Sequence, residues 1–230
     1  MALSKRKKEF EKLVDKKKAY TLHEAIGILK NAPKTKFDQT VEISFKLNID
    51  PKETSVSVRG TVSLPHGTGK TRKVAVFCKG EDERKAKAAG ADFIGSDELV
   101  KKVSEGWCDF DVAIATPEMM KDMGRLGKVL GPRGLMPNPK AGTVTTEVEK
   151  AIQDVKKGKI EFKMDKQSNI HAMIGKLSFE IKSLVENGTE VIETVERAKP
   201  PVTKGIFFKN MSVSSTMGPG LRLDLTDWRK

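Results

Sequence analysis

The chain has 230 residues, room for one large domain or two small ones, and 37% of them are apolar. No apolar run reaches the roughly 18 residues that cross a bilayer, and the two cysteines, Cys78 and Cys108, offer neither a disulfide framework nor metal spacing, so a membrane span, a stapled secreted scaffold and a zinc module are excluded. With 43 Lys and Arg against 31 Asp and Glu the formal net charge is +12, a balance that favours a polyanion, most commonly nucleic acid, through counterion release.

The first 18 residues, "MALSKRKKEFEKLVDKKK", hold eight Lys/Arg and three acids. They lack the apolar segment of a secretory signal, and the acids argue against a transit peptide. Phe10, Leu13 and Val14 can dock this stretch as a helix, leaving a cationic face that is either merely solvated or suited to a phosphate backbone. Leu22, Ala25, Ile26 and Leu29 give a second helix, opened by a capping box from Thr21 to Glu24. Phe37 follows in the polar stretch "KTKFDQT", where an aromatic beside Lys36 either closes a core or stacks on a base. "VEISFKLNI" (41–49) then alternates strictly, with Val41, Ile43, Phe45, Leu47 and Ile49 on one side. "SVSVRGTVSL" repeats the pattern with Val56, Val58, Val62 and Leu64. Both read as half-buried strands of an antiparallel sheet.

"LPHGTGK" (64–70) marks a boundary. Its "HGTGKT" is no phosphate-binding P-loop, because Leu64 stands where the first glycine of GxxxxGK(S/T) must be, and a glycine-rich hinge is the simpler reading. Beyond it, "KVAVF" (73–77), "DFI" (92–94) and "DVAIA" (111–115) are short apolar runs of buried-strand type. Helical patterns separate them: one after Ser96 as N-cap, one at Thr116 with Pro117 in first position, and a third in "TEVEKAIQDVKKG", with a capping box from Thr146 to Glu149 and an end at Gly158. Between the last two lies "GRLGKVLGPRGLMPNPKAGT" (124–143), rich in glycine, proline and cations and without acids. It reads as an ordered, glycine-bent cationic loop that offers Arg125, Lys128, Arg133 and Lys140.

"KKGK" (156–159) is the second boundary. After it, "KIEFKMD" and "NIHAMIG" read as another strand pair. A long helix over 178–198 carries Ile181, Leu184, Val185, Val191, Ile192, Val195 and Ala198 on one stripe, where Gly188 reads as a close-packing site. The last strand, "GIFFKNMSVSS", runs into "TMGPG" and out through "LRLDL". In "SSTMGPG" (214–220), Thr216 can donate to a ribose hydroxyl, Met217 can lie over an unstacked base and Gly218 can admit close backbone approach; a plain turn between strands is the alternative.

These patterns predict an α/β protein of two domains. Residues 1–67 and 159–230 form a discontinuous α+β domain whose four-stranded antiparallel sheet, drawn from both chain ends, packs on helices. Residues 68–158 form an inserted Rossmann-like α/β domain. The insert holds 17 Lys/Arg and 14 Asp/Glu and the remainder 26 and 17, so the polyanion contact belongs mainly to the discontinuous domain. Catalysis has little to recruit, since His23, His66 and His171 fall in a helix, a linker and a strand without Cys or acid clusters at ligand spacing. No enzyme, cofactor or metal is expected.

"VRGTVSLPHGTGK", "GRLGKVLGPRGLMPNPKAGTV", "IEFKMDK" with "NIHAMIGK", and "STMGPG" together resemble the family of ribosomal protein one of the bacterial large subunit, the protein of the mobile stalk beside the tRNA exit site. The resemblance spans essentially the whole chain, in order. It implies a split α+β domain with an inserted Rossmann-like domain, and a monomer held on cytoplasmic ribosomes. It further implies binding to the stalk of large-subunit ribosomal RNA, help in moving deacylated tRNA from the exit site, and repression of the protein's own operon by binding its messenger. Family ribosomal-RNA contacts carry over to Lys36, Phe37, Thr216, Met217 and Gly218, with Lys166, Ser168 and His171 as further candidates for that surface. Lys52 and Arg59 are candidates for tRNA, as are Arg125, Lys128 and Arg133 on a secondary surface facing tRNA or the neighbouring domain. The rival readings are a nucleotide-binding switch or enzyme built on the inserted domain, and a free repressor that never joins the ribosome.

Overall fold

The computed structural model describes residues 5–15, 18–33, 35–50, 58–201, 203 and 205–228. The first part of the chain forms α1 (Lys5–Leu13), α2 (Leu22–Lys30), β1 (Thr40–Leu47) and β2 (Arg59–Ser63). The middle forms β3 (Val74–Phe77), α3 (Glu81–Ala88), β4 (Phe93–Gly95), α4 (Asp97–Ser104) and β5 (Val112–Ala115), then short helical turns that include α5 (Met120–Met123) and α6 (Gly127–Leu130), and finally α7 (Val148–Lys156). The last part forms β6 (Lys159–Lys163), β7 (Asn169–Lys176), α8 (Ile181–Arg197), β8 (Phe208–Ser215) and β9 (Leu221–Arg222). Contacts divide this chain into two compact units, Met1–Gly69 with Ile160–Lys230, and Lys70–Lys159.

In the discontinuous unit the four-stranded sheet has the order β7-β1-β8-β9, and β1 pairs antiparallel with β7 and with β8. The alternation in β1 does what its period requires: Val41, Ile43, Phe45 and Leu47 are buried, while Glu42, Ser44 and Lys46 face away from the core. Ile170, Ala172, Ile174, Met211 and Val213 join the same core from the flanking strands. α2 and α8 cover it with Ile26, Leu29, Leu184, Val191 and Val195. The box that opens α2 is formed, with Glu24 N–H donating to Thr21 Oγ1 at 3.2 Å and Thr21 N–H to Glu24 Oε2 at 3.1 Å. The Thr21 backbone bond and the nearby Lys18 charge hold the Glu24 carboxyl below its ordinary range.

Two expectations for this unit change. β2 does not lie in the four-stranded sheet, and β6 does not pair with β7; β2 and β6 form a two-stranded sheet of their own. Gly60 makes that pairing fit, because a side chain there would stand 2.8 Å from the Phe162 ring. β7 is turned toward β1 by the Asp165–Asn169 turn, in which Ser168 takes a left-handed φ of 63°. There Asp165 Oδ1 accepts from Gln167 N–H at 2.8 Å and from Asn169 N–H at 2.7 Å.

α8 carries a residue that apolar periodicity does not reveal. Asn187 sits fully buried on the apolar stripe, beside Gly188, whose missing side chain leaves room for Leu22. Its Oδ1 accepts from His66 N–H at 3.0 Å, and its Nδ2 donates to the carbonyls of Gly67 at 3.1 Å and Ile174 at 2.8 Å. One amide therefore ties the segment after β2 to α8 and to β7. His66 Nε2 adds a contact with the Glu186 carboxylate one residue earlier. Gly69, at φ +72°, closes the segment where a side chain would meet Lys176 and Phe179.

The inserted unit has a parallel sheet of order β4-β3-β5, and all four residues of the central strand β3 are buried. Ala75 and Phe77 meet Leu99, Val103, Met119 and Met123 on one side. Val74, Val76 and Cys78 meet Ala86, Ile152 and Val155 on the other. This is the two-sided burial that makes parallel strands read as continuous apolar runs. Phe93 packs edge-on against Trp107 at 4.8 Å.

The stretch read as a cationic loop begins as helix. Short turns run from Pro117 to Leu130, with Gly124 and Gly127 in right-handed helical conformation. Met119, Met123, Leu126 and Leu130 are buried along one face, an apolar period that the intervening glycines conceal. The box from Thr146 to Glu149 is not formed; α7 starts at Val148, and Thr145 Oγ1 instead accepts from Glu147 N–H at 3.0 Å. Ser96 and Thr116 precede helical turns but make no side-chain cap, and Pro117 opens a 3-10 turn rather than an α-helix.

Replacing Asn187 with Ala or Leu is expected to destabilise the discontinuous unit by about 2–3 kcal/mol, because buried backbone partners lose their bonds; urea unfolding measures this. Burial, with the Glu83 and Asp82 charges nearby, pushes the Cys78 thiol up to about 11. Iodoacetamide at mildly alkaline pH should therefore label Cys108 and spare Cys78 until the protein is unfolded, a difference that peptide mass spectrometry reads directly.

Candidate nucleic-acid interface

The start of β1 and the ends of β7 and β8 meet at one end of the sheet, where Thr40 is opposite Lys176 and Val41 is opposite Ser215. The segment before β1 and the turn after β8 are therefore neighbours, although they come from opposite ends of the chain. Thr40 N–H donates to Thr216 Oγ1 at 3.0 Å, and Thr216 N–H returns the bond to Thr40 O at 3.0 Å. Met217 N–H donates to Gln39 Oε1 at 3.0 Å. The structure thus brings the segment that holds Lys36 and Phe37 beside the turn of Thr216, Met217 and Gly218.

Of these residues, Phe37 and Met217 are each 52% exposed, two large apolar groups presented to solvent on an anchored backbone. The anchor is extensive. Thr35 Oγ1 donates to Phe37 O at 2.6 Å, while Asp38 accepts through Oδ1 from Ser178 N–H at 3.1 Å and through Oδ2 from the Ser178 hydroxyl at 2.8 Å. Lys176 Nζ donates to Thr40 Oγ1 at 2.9 Å. Gly218 is demanded from beneath, since a side chain there would stand 2.2 Å from Ser215 Oγ and 3.4 Å from Leu29. Gln39, Asp38, Lys176 and Ser178 escape sequence reasoning because their partners lie more than a hundred residues away; the only signal was polarity beside an unexplained Phe37.

From this cluster the uncovered face of the sheet runs away as a polar surface. Glu42 lies opposite Ser214, Ser44 opposite Ser212 and His171, and Lys46 opposite Asn210. His171 Nδ1 and Ser44 Oγ are 3.0 Å apart. Lys166 is exposed at the far end, near Lys46, which donates to Gln167 O. Ser168 is also at that end but fully buried, its hydroxyl donating to Ile49 O at 2.9 Å, so its side chain is not offered to a ligand. Burial alone would raise the Asp165 carboxyl in this turn, but the hydrogen bonds from Asn169 and Gln167 hold it below its ordinary range.

The remaining candidates lie apart. Arg59, on β2, is paired through Nε with Glu161 at 2.9 Å; Lys52 lies outside the described residues. Arg125, Lys128, Arg133 and Lys140 all belong to the inserted unit and are exposed. Among the described residues no group of three His, Cys, Asp or Glu could hold a metal ion. "HGTGKT" leads into strand β3 rather than into the helix that a P-loop needs. Among the described residues no helix is long and apolar enough to cross a membrane.

The sequence profile of the ribosomal protein L1p/L10e family matches residues 28–219, a span that runs from before Phe37 to just past Gly218 and contains the whole insert. Over 224 residues the chain is 57% identical to the large ribosomal subunit protein uL1 of Protochlamydia amoebophila, which covers 97% of this chain and 95% of that one. Over 221 residues it is 55% identical to the large ribosomal subunit protein uL1 of Kosmotoga olearia, with 96% of each chain covered. A profile match over most of the chain and likeness of that extent to both relatives place the chain in the ribosomal protein L1p/L10e family.

Proposed function

We propose that this chain, a ribosomal protein by its family, binds the stalk of large-subunit ribosomal RNA through the cluster of Lys36, Phe37, Thr216, Met217 and Gly218. The observation that carries this reading is the pair Phe37 and Met217, each half exposed and each held on hydrogen-bonded backbone. Exposed apolar side chains are ordinarily mobile or scattered. An aromatic and a thioether presented from two neighbouring, hydrogen-bonded stretches of backbone suit unstacked bases, whose flat faces give sequence-tolerant contact. The hydroxyls of Ser44, Ser212 and Ser214 on the open face match the ribose 2′-hydroxyls that distinguish RNA from DNA. Lys36, with Lys166 and His171 farther along, supplies affinity that salt weakens and that carries little sequence information.

The same surface accounts for repression of the protein's own operon, if its messenger folds into the shape that the stalk RNA presents. The exposed cations of the insert, Arg125, Lys128 and Arg133, are assigned to exit-site tRNA, with Arg59 and Lys52 as further candidates. No cofactor or metal enters this reading.

Phe37→Ala and Met217→Ala are each expected to weaken binding to a stalk-RNA fragment by about 1–3 kcal/mol while the protein stays folded; an unchanged dissociation constant in filter binding would remove the cluster from the interface. A shortened chain in which residues 1–69 are joined directly to 160–230 should still bind that fragment. If it folds and does not bind, the primary site lies in the insert.

A further inference from the structure

The open face of the four-stranded sheet carries one acid that nothing in the fold accounts for. Thr40, Glu42, Ser44 and Lys46 alternate outward along β1, as Ser212 and Ser214 do along β8. Glu42 is the only acid in β1, β7, β8 and β9. Register sets it opposite Ser214 on one side and Met173 on the other. It is exposed, and among the described residues its side chain makes no hydrogen bond or ion pair. Lys176, opposite Thr40, does not neutralise it and donates instead to Thr40 Oγ1 at 2.9 Å and to Asp38 O at 3.4 Å.

The β1–β8 ladder fixes where this carboxylate stands. Thr40, two residues before Glu42, exchanges bonds with Thr216, and Met217 follows directly. Glu42 therefore rises one outward row, about 7 Å along the strands, from the pair that joins the Phe37 segment to the Met217 turn. A carboxylate there repels every phosphate that the neighbouring cations attract. It accepts hydrogen bonds and donates none, so its partners in RNA are groups that donate. Hydroxyls for the ribose are already present in Ser44, Ser212 and Ser214, which leaves the bases. Guanine alone has two neighbouring donors on its Watson–Crick edge, N1–H and N2–H₂, a match for two carboxylate oxygens. Cytosine and adenine set one amino group beside an acceptor, and uracil sets one imino group between two.

We propose that Glu42 reads an unpaired guanine of the RNA that meets Phe37 and Met217, its carboxylate oxygens accepting from N1–H and N2–H₂. It thereby selects among RNAs that the cations attract alike. This rests on the RNA reading above. The test uses the full chain with three probes: a synthetic stalk-RNA fragment, the same fragment with each guanine in turn replaced by inosine, which lacks the N2 amino group, and poly(U), which holds no guanine. Glu42→Gln should weaken binding to the fragment by about 5- to 100-fold. It should bind poly(U) as tightly as the parent chain or more so, because a repulsive charge is gone. One inosine position should weaken binding by the parent chain and have little further effect on Glu42→Gln. Equal losses on the fragment and on poly(U) would mark a structural role and overturn the assignment. So would a loss in Glu42→Gln that no inosine position shares, the result expected if the carboxylate meets a ribose hydroxyl. Unchanged affinity for the fragment would overturn it too and leave the Phe37 site standing. A parent chain that fails to bind the fragment would overturn both readings.

Discussion

Strand β1 has no hydrogen-bonding neighbour near it in sequence. Both strands that flank it, β7 and β8, come from beyond residue 168, so the central sheet exists only when the two ends of the chain have met. Every other feature of the discontinuous unit depends on that closure. The core under α2 and α8 needs all three strands to present their inner faces together. The bond exchange between Thr40 and Thr216, which builds the apolar cluster, is simply the last rung of the β1–β8 ladder carried one residue further. Loop-closure entropy rises only slowly with length, by about 0.6 kcal/mol for each doubling. A long excursion between the two halves is therefore tolerable, and the more so because residues 70–159 are themselves compact.

How much of this was legible in the sequence depended on whether a residue's role is local. Strict alternation fixed the inward set of β1, the stripe of α8 announced itself, and the Thr21–Glu24 box lay within four residues. What failed lacked a local signal. α3, "EDERKAKA", buries only Ala86 and so shows no apolar period. The helical turns from Pro117 to Leu130 have the period, but their glycines and prolines suggested a loop. Asn187 gives no apolar signal and is the polar tie of that buried face. The pairing of β2 with β6 rather than with the main sheet depends on tertiary fit at Gly60, which no pattern along one strand encodes. The site behaved likewise: Phe37 and Met217 were suspicious because they were apolar in polar surroundings, but their proximity follows from sheet register alone.

The cluster also shows how exposed apolar groups can be kept without loosening a fold. Phe37 and Met217 contribute little to the core, yet Gln39, Asp38, Ser178, Thr40 and Thr216 hold their backbones. An ordered platform has little further conformational entropy to lose on contact with any partner. Gly218 serves the same end from below, since any side chain there would lift the turn off Ser215 and Leu29. The polar groups thus shape the exposed surface indirectly, through the rigidity of what they support.

The pairing of β2 with β6 reaches further than its size suggests. These are the strands by which the chain leaves for the insert and returns from it, so departure and return points lie side by side in the fold. An insertion that begins and ends on adjacent strands behaves, for the host, like an ordinary hairpin loop of any length. The middle of this protein can then be enlarged, trimmed or exchanged without disturbing the register of the main sheet. Two histories of change can proceed within one polypeptide, separated by a pair of short strands.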